Sequence, residues 1–85
     1  MVPAMVTNLA TNEGMCTEAL VAYHAAKAKG GWGLVITEDY AVEPAGRGYQ
    51  CVPGLWNDEQ GKSHSAIPKA IHEYQGAKVF AQIYH

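Results

Sequence analysis

The sequence predicts an α/β fold of the order β-α-β-α-β with parallel strands, and three observations carry that reading. Leu34-Val35-Ile36 is a short continuous apolar run, the mark of a strand buried on both faces in a helix-covered sheet. Gly30-Gly31 stand just before it and can take the positive φ that closes a helix. Polar residues, Thr37-Glu38-Asp39-Tyr40, follow it directly. They fall at the strand's C-terminal end, where parallel α/β folds gather their chemistry.

The elements follow in chain order. Val2 to Thr7 reads as the first strand, with Pro3 near an end or irregularity because proline gives no N–H to a ladder. Asn8 to Cys16 is a loop, with Asn12-Glu13-Gly14 as its turn signal. Thr17 is the expected N-cap of a helix from Glu18 to Lys29. Glu18 sits at the positive end of its dipole, and Lys27 and Lys29 at the negative end. Leu20, Val21, His24, Ala25 and Ala28 share one face of that helix, and the alanines suit close packing on a sheet.

The second strand spans Gly33 to Glu38. Asp39 to Leu55 is then a connection long enough to suggest function. Asn57 caps a short helical turn, Asp58-Glu59-Gln60, which Gly61 weakens. The main second helix is expected over Ser65 to Gln75, with Pro68 in its first turn and Ile67, Ala70, Ile71 and Tyr74 as its apolar face. Gly76 stops it, and Ala77 to Tyr84 forms the third strand. There is no internal repeat.

Right-handed crossovers make the strands parallel and adjacent, as in a (β/α)8 barrel or a Rossmann-like sheet. The second architecture needs Gly-x-Gly-x-x-Gly after the first strand. Asn8-Leu9-Ala10-Thr11-Asn12 stands there instead, and Gly31-Trp32-Gly33 precedes a strand rather than a helix. The barrel is therefore preferred. A complete barrel takes about 250 residues, and this chain has 85. Residues 1–85 are thus expected to be one incomplete domain: the first three strands and first two helices. The apolar run at Met1 to Val6, with no lead-in, and the strand pattern still open at Tyr84-His85 suit that expectation.

Composition narrows the function. A net charge of −2, with six scattered Lys and Arg residues, offers no electrostatic footprint for nucleic acid. No apolar run reaches membrane-spanning length, and the first residues lack the form of a signal peptide, so no membrane partner is expected. Cys16 and Cys51 read as reduced thiols of a cytoplasmic protein. They make no Cys-x-x-Cys motif, and a disulfide between them stays open. His24 and His72 fall on helices as packing or surface residues, His64 falls in a loop, and His85 ends the chain. No His-Glu-x-x-His or cysteine-rich spacing exists, so no metal site is expected. Ser63 and Ser65 lack a nucleophile-elbow setting.

An ordered set of segments then carries a resemblance. It comprises Pro3-Ala4-Met5-Val6-Thr7-Asn8, Ala22 to Gly31, Gly33 to Glu38, Gly46-Arg47-Gly48, Trp56 to Gln60 and Lys78 to His85. In this order and spacing they resemble the old yellow enzyme family of FMN-dependent NAD(P)H:flavin oxidoreductases, in the branch of 2,4-dienoyl-CoA reductase and enoate reductases. The resemblance covers nearly the whole chain and implies the opening of a TIM (β/α)8 barrel.

It also implies FMN as cofactor and NAD(P)H as reductant. The substrate implied is a small α,β-unsaturated carbonyl or thioester whose activated C=C bond is reduced. Residues at the strand ends are then the expected flavin contacts. Ala4, Met5 and Val6 would run along the flavin edge, using backbone groups. Val6 stands where some members carry Thr or Cys and cannot hydrogen-bond the flavin O4. Asp39 replaces a small residue beside the pyrimidine side, so its backbone is the expected contact while its side chain turns away. Gln82 interrupts an apolar run, and its amide needs two acceptors and a donor, which a pyrimidine edge provides. Glu38 is expected to anchor the loop or a helix N-terminus.

No catalytic residue is expected within this chain. The family's proton donor, substrate contacts and FMN phosphate site lie on later strands. The cysteines of a 4Fe-4S cluster, in longer members, also come later. The isolated 85-residue chain is accordingly expected to be inactive. Oligomeric state stays open. So do two alternatives: a barrel enzyme without flavin, and a short non-catalytic structural or interaction protein.

Overall fold

The computed structural model describes residues Met1–His85. Helix α1 spans Glu18–Lys29, strand β1 Leu34–Ala41, helix α2 Asp58–His64, helix α3 Ala66–His72 and strand β2 Lys78–Tyr84. A single 3-10 turn occupies Pro44–Gly46. β1 and β2 are parallel neighbours in a two-stranded sheet.

α1 forms as its sequence dictates. The Thr17 Oγ1 accepts from the Leu20 N–H at 3.1 Å and donates to the Leu9 carbonyl at 2.6 Å, so one hydroxyl caps the helix and fastens the preceding loop. At the other end Gly31 takes φ 102°, a conformation that costs glycine little, and the Trp32 N–H reaches back to the Lys27 carbonyl at 3.3 Å. Leu20, His24 and Ala28 are the buried face.

The predicted first strand is shorter than expected. Val2 alone bridges to β1: its N–H donates to the Leu34 carbonyl at 2.8 Å, and its carbonyl accepts from the Ile36 N–H at 3.0 Å. Pro3 cannot continue the ladder, and from Pro3 to Val6 the backbone makes no hydrogen bond within the chain. The predicted second strand runs three residues longer, to Ala41, because Glu38, Asp39 and Tyr40 remain in the sheet. The predicted third strand begins one residue late, at Lys78.

The second helical region also differs. α2 passes through Gly61 and ends at His64, and α3 begins at Ala66. Glycine within a helix costs about 1 kcal/mol. Here the Asn57 Oδ1 accepts from the Gln60 N–H at 2.8 Å, Asp58 and Glu59 occupy the first turn, and Gln60 and His64 are buried, which together offset it. The break at Ser65 follows from Pro68, which lacks an N–H and crowds the carbonyl of His64 four residues earlier. α3 stops at His72, short of the expected Gln75, and Gly76 turns the chain at φ 81°.

The core lies between α1, α3 and the sheet: Val2, Ala10, Leu20, Ala28, Val35, Ile67, Ile71 and Ala77. Burying Leu20, Ile67 and Ile71 completely contributes about 1.5–3 kcal/mol each. The accessible surface, 4913 Å², matches the roughly 4,900 Å² of a folded chain of this mass. What sets it apart is its chemistry, since Met5, Val6, Phe80 and Ile83 are all more than half exposed. No helix is long and apolar enough to cross a membrane.

Candidate functional site

The strands' C-terminal ends gather the polar side chains. β1 and β2 pair Leu34 with Lys78, Val35 with Val79 and Ile36 with Phe80, and then Asp39 with Gln82. Between the last two pairs β1 advances three residues and β2 two, so β1 carries a one-residue bulge at Thr37-Glu38. Side chains alternate along a strand, and a one-residue insertion reverses the alternation. The bulge therefore turns Asp39 to the face of Ile36, Phe80 and Gln82. Thr37 and Tyr40 stay on the helix side with Val79 and Ala81, lining a cleft with Leu55, His64 and Pro68.

The bulge also buries Glu38, which is 1% exposed. Its Oε2 accepts from the Thr7 N–H at 3.1 Å and from the Tyr49 hydroxyl at 3.3 Å, and its Oε1 accepts from the Thr7 hydroxyl. Just beyond, Asn8 takes φ 59°, which asparagine tolerates, and its Oδ1 accepts from the Cys51 N–H at 2.9 Å. Burial, with the Glu38 charge beside it, holds the Tyr49 phenol well above its ordinary range.

The loops behind this edge are fixed by two residues that sequence reasoning missed. Gln60 donates from Nε2 to the Glu13 carbonyl at 2.8 Å and accepts at Oε1 from the Trp56 N–H at 2.9 Å. That is the reciprocal logic of a capping box, displaced by one residue. His64, expected in a loop, is instead buried in α2, where helix continuation through Gly61 places it. Its Nε2 lies 2.9 Å from the Gly14 carbonyl and its ring meets Tyr40 edge-on at 4.8 Å. Burial lowers the pKa of His64. Only the Asn57 cap, three residues before Gln60, signalled this arrangement in the sequence. Arg47 organises the adjoining surface, donating to the carbonyls of Pro44 at 3.1 Å and Asn12 at 3.0 Å.

Of the five sequence-predicted contact residues, the sheet register pairs two. Asp39 and Gln82 are register partners on strands roughly 4.8 Å apart. Ala4, Met5 and Val6 lie between the anchors of Val2 on Leu34 and Ile36 and of Thr7 on Glu38, with Ala4 half-buried and the other two exposed. The Gln82 side chain is exposed and spends no hydrogen bond on the fold. His85 sits beside the edge, with its Nε2 3.0 Å from Glu43 Oε1. Both side chains are more than half exposed, so the pair contributes little. Cys16 and Cys51 are free thiols.

The candidate contact residues combine free backbone groups at Ala4–Val6, an amide with both donor and acceptor, and the apolar side chains of Met5, Val6, Phe80 and Ile83. A flat heteroaromatic ring with a polar pyrimidine edge, such as a flavin, matches these residues. The Asp39 carboxylate is the one group that opposes an anionic ring.

Comparison with known proteins places the whole chain. The family model described as NADH:flavin oxidoreductase / NADH oxidase matches residues 1–85. The chain is 38% identical over 86 residues to an NADH oxidase of Thermoanaerobacter brockii, covering all of this chain and 13% of that protein. It is 36% identical over 85 residues to an NADPH dehydrogenase of Listeria monocytogenes, again over its whole length and 25% of the relative. The structure superposes on an old yellow enzyme homologue from Zymomonas mobilis with a TM-score of 0.89 at 31% identity, covering 99% of this chain and 23% of that one. Morphinone reductase in complex with tetrahydroNAD gives 0.86 at 25% identity, covering 99% of this chain and 22% of that one. The chain thus spans 13% to 25% of the length of these curated relatives. Its parallel strands and helices correspond to part of the old yellow enzyme (β/α)8 barrel, here without closure. On sequence and fold together, the chain belongs to the NADH:flavin oxidoreductase / NADH oxidase family.

Proposed function

We propose that this chain is the opening segment of an FMN-dependent oxidoreductase that takes hydride from NAD(P)H and reduces the activated C=C bond of a small α,β-unsaturated carbonyl or thioester. In this reading residues 1–85 supply the first three strands and first two helices of the barrel. The observation that carries it is the pairing of Asp39 with Gln82 near the strand ends, together with an Ala4–Val6 backbone, tied to β1 on either side, that makes no hydrogen bond of its own.

FMN, when bound, supplies the hydride chemistry. This chain's residues bind and orient. Gln82 matches donors and acceptors along the pyrimidine edge, and the backbone of Ala4, Met5 and Val6 lines the ring. Asp39 contributes backbone, but its side chain does not turn away as the sequence suggested: it shares the face of Gln82, where a negative charge disfavours an anionic reduced flavin. Met5, Val6, Phe80 and Ile83 exclude water. The proton that completes reduction comes from a residue outside this segment.

The test is an anaerobic two-step experiment on the purified full-length protein that contains this segment, since the 85 residues alone are expected to be inactive. NADH or NADPH should bleach the flavin absorbance, and an α,β-unsaturated ketone should restore it with formation of the saturated ketone. Reduction followed by reoxidation only with oxygen would remove the ene-reductase assignment and leave an oxidase.

A further inference from the structure

We infer that Glu38 is a positioning residue whose buried carboxylate fixes the Ala4–Thr7 segment at the strand edge, an inference that rests on the flavin reading above. The segment has two attachments, both to β1. Val2 exchanges two backbone hydrogen bonds with Leu34 and Ile36, and Thr7 gives its N–H and its hydroxyl to Glu38. Between them Pro3, Ala4, Met5 and Val6 make no backbone hydrogen bond, so the two attachments set where their free groups lie.

The carboxylate is unusual for this role. It is 1% exposed, and the chain's one ion pair, His85 with Glu43, does not involve it. Buried charges are normally paired with an opposite charge or heavily hydrogen-bonded. Glu38 is held by three neutral donors: the Thr7 N–H, the Thr7 hydroxyl and the Tyr49 hydroxyl. Hydrogen bonds to an ionised acceptor are roughly twice as strong as neutral ones, which gives a short segment a firm end-point. The bulge that turns Asp39 toward Gln82 is also what aims Glu38 at Thr7. One backbone irregularity therefore sets both sides of the ligand edge.

The experiment uses the flavin-loaded full-length protein that contains this segment and its apo form, with the variants Glu38→Ala, Thr7→Val and Glu38→Gln. Three readouts are taken: the FMN dissociation constant, the visible flavin spectrum and the reduction potential. Glu38→Ala should weaken FMN about tenfold or more and change the spectrum and potential. Thr7→Val, which keeps the carboxylate and the Thr7 N–H, should do so by a smaller factor and serves if the alanine variant fails to fold. Glu38→Gln retains an acceptor for the Thr7 N–H, and the hydroxyls of Thr7 and Tyr49 can rotate to accept. It should stay within about threefold of wild type.

Variants that melt earlier but leave all three flavin readouts unmoved would overturn the positioning role and make Glu38 a loop anchor only. A wild-type protein that binds no FMN at all would instead overturn the flavin reading itself.

Discussion

Gln82 offers the sharpest separation of ligand binding from folding. Its amide lies at the end of β2, opposite Asp39, exposed and without a hydrogen bond to the rest of the chain. Replacing it by leucine removes no interaction that holds the fold, and leucine is compatible with the exposed apolar Phe80 and Ile83 nearby. The whole cost should therefore fall on the ligand. A polar pyrimidine edge left facing an apolar side chain forfeits its hydrogen bonds at about 1–3 kcal/mol, which is roughly a 5- to 150-fold loss in FMN affinity. Titrating apoprotein with FMN, followed by quenching of flavin fluorescence, gives the dissociation constant directly, and a thermal melt of the same apoprotein gives the control. The expected pattern is weakened FMN binding with an apoprotein melting temperature that does not fall. Unchanged affinity would refute the assignment. A fall in melting temperature that accounts for the whole affinity loss would show that Gln82 supports the fold rather than the cofactor.

Three other outcomes follow from the same structure. Val6→Thr adds a hydroxyl on a side chain already 55% exposed, so it should leave stability nearly untouched and raise the flavin potential, as read by equilibration with a redox dye. His24 is buried in α1 with neither ring nitrogen hydrogen-bonded; burial, with Lys27 nearby, lowers its pKa from 6.5 to about 4. The unfolded chain thus binds a proton that the folded chain refuses, and stability present above pH 6.5 should be lost as pH falls toward 4, by up to about 3 kcal/mol. His24→Leu should raise the melting temperature and flatten that acid limb in melts across the pH range, while His64, lowered in the same direction, keeps a residual slope. Gly14→Ala should destabilise by about 1–3 kcal/mol: Gly14 has φ 78°, and an added Cβ would stand 2.8 Å from the Gln60 Nε2 and 3.0 Å from the Gly54 nitrogen. An unchanged denaturant midpoint would show that the loop yields freely.

The sequence was most legible where local rules agree with packing. Thr17, Glu18, Lys27, Lys29 and Gly31 all mark the ends of one helix, and α1 is found at the expected Glu18–Lys29. It was least legible where tertiary contacts reverse a local preference. Gly61 reads as a helix breaker, yet the burial of Gln60 and His64 carries α2 across it. The sequence ends the second strand at Glu38 and starts the loop at Asp39, whereas the strand continues to Ala41. Asp39, Tyr40 and Ala41 pair with Gln82, Ile83 and Tyr84, and Thr7 and Tyr49, 31 and 11 residues from Glu38, supply the donors that hold its buried carboxylate. The first strand failed in the opposite sense: its apolar pattern suits a sheet, but Pro3 ends the ladder after Val2.

The five proposed contact positions were read as expected strand ends, and the resemblance then named them. What no periodicity announces is the bulge at Thr37-Glu38 that brings Asp39 and Gln82 to one face. Glu38 itself was readable only as an anchor of unknown object, since its partner Thr7 belongs to a different segment.

Hydrogen–deuterium exchange on the apoprotein, with and without FMN, tests most directly whether these strand ends hold the cofactor. Peptides containing Ala4–Thr7, Asp39–Ala41 and Gln82–Tyr84 should all gain protection on adding FMN, while the exposed face of α1 should not change. Protection confined to other segments, or none at these three despite saturating FMN, would contradict a flavin site at this edge.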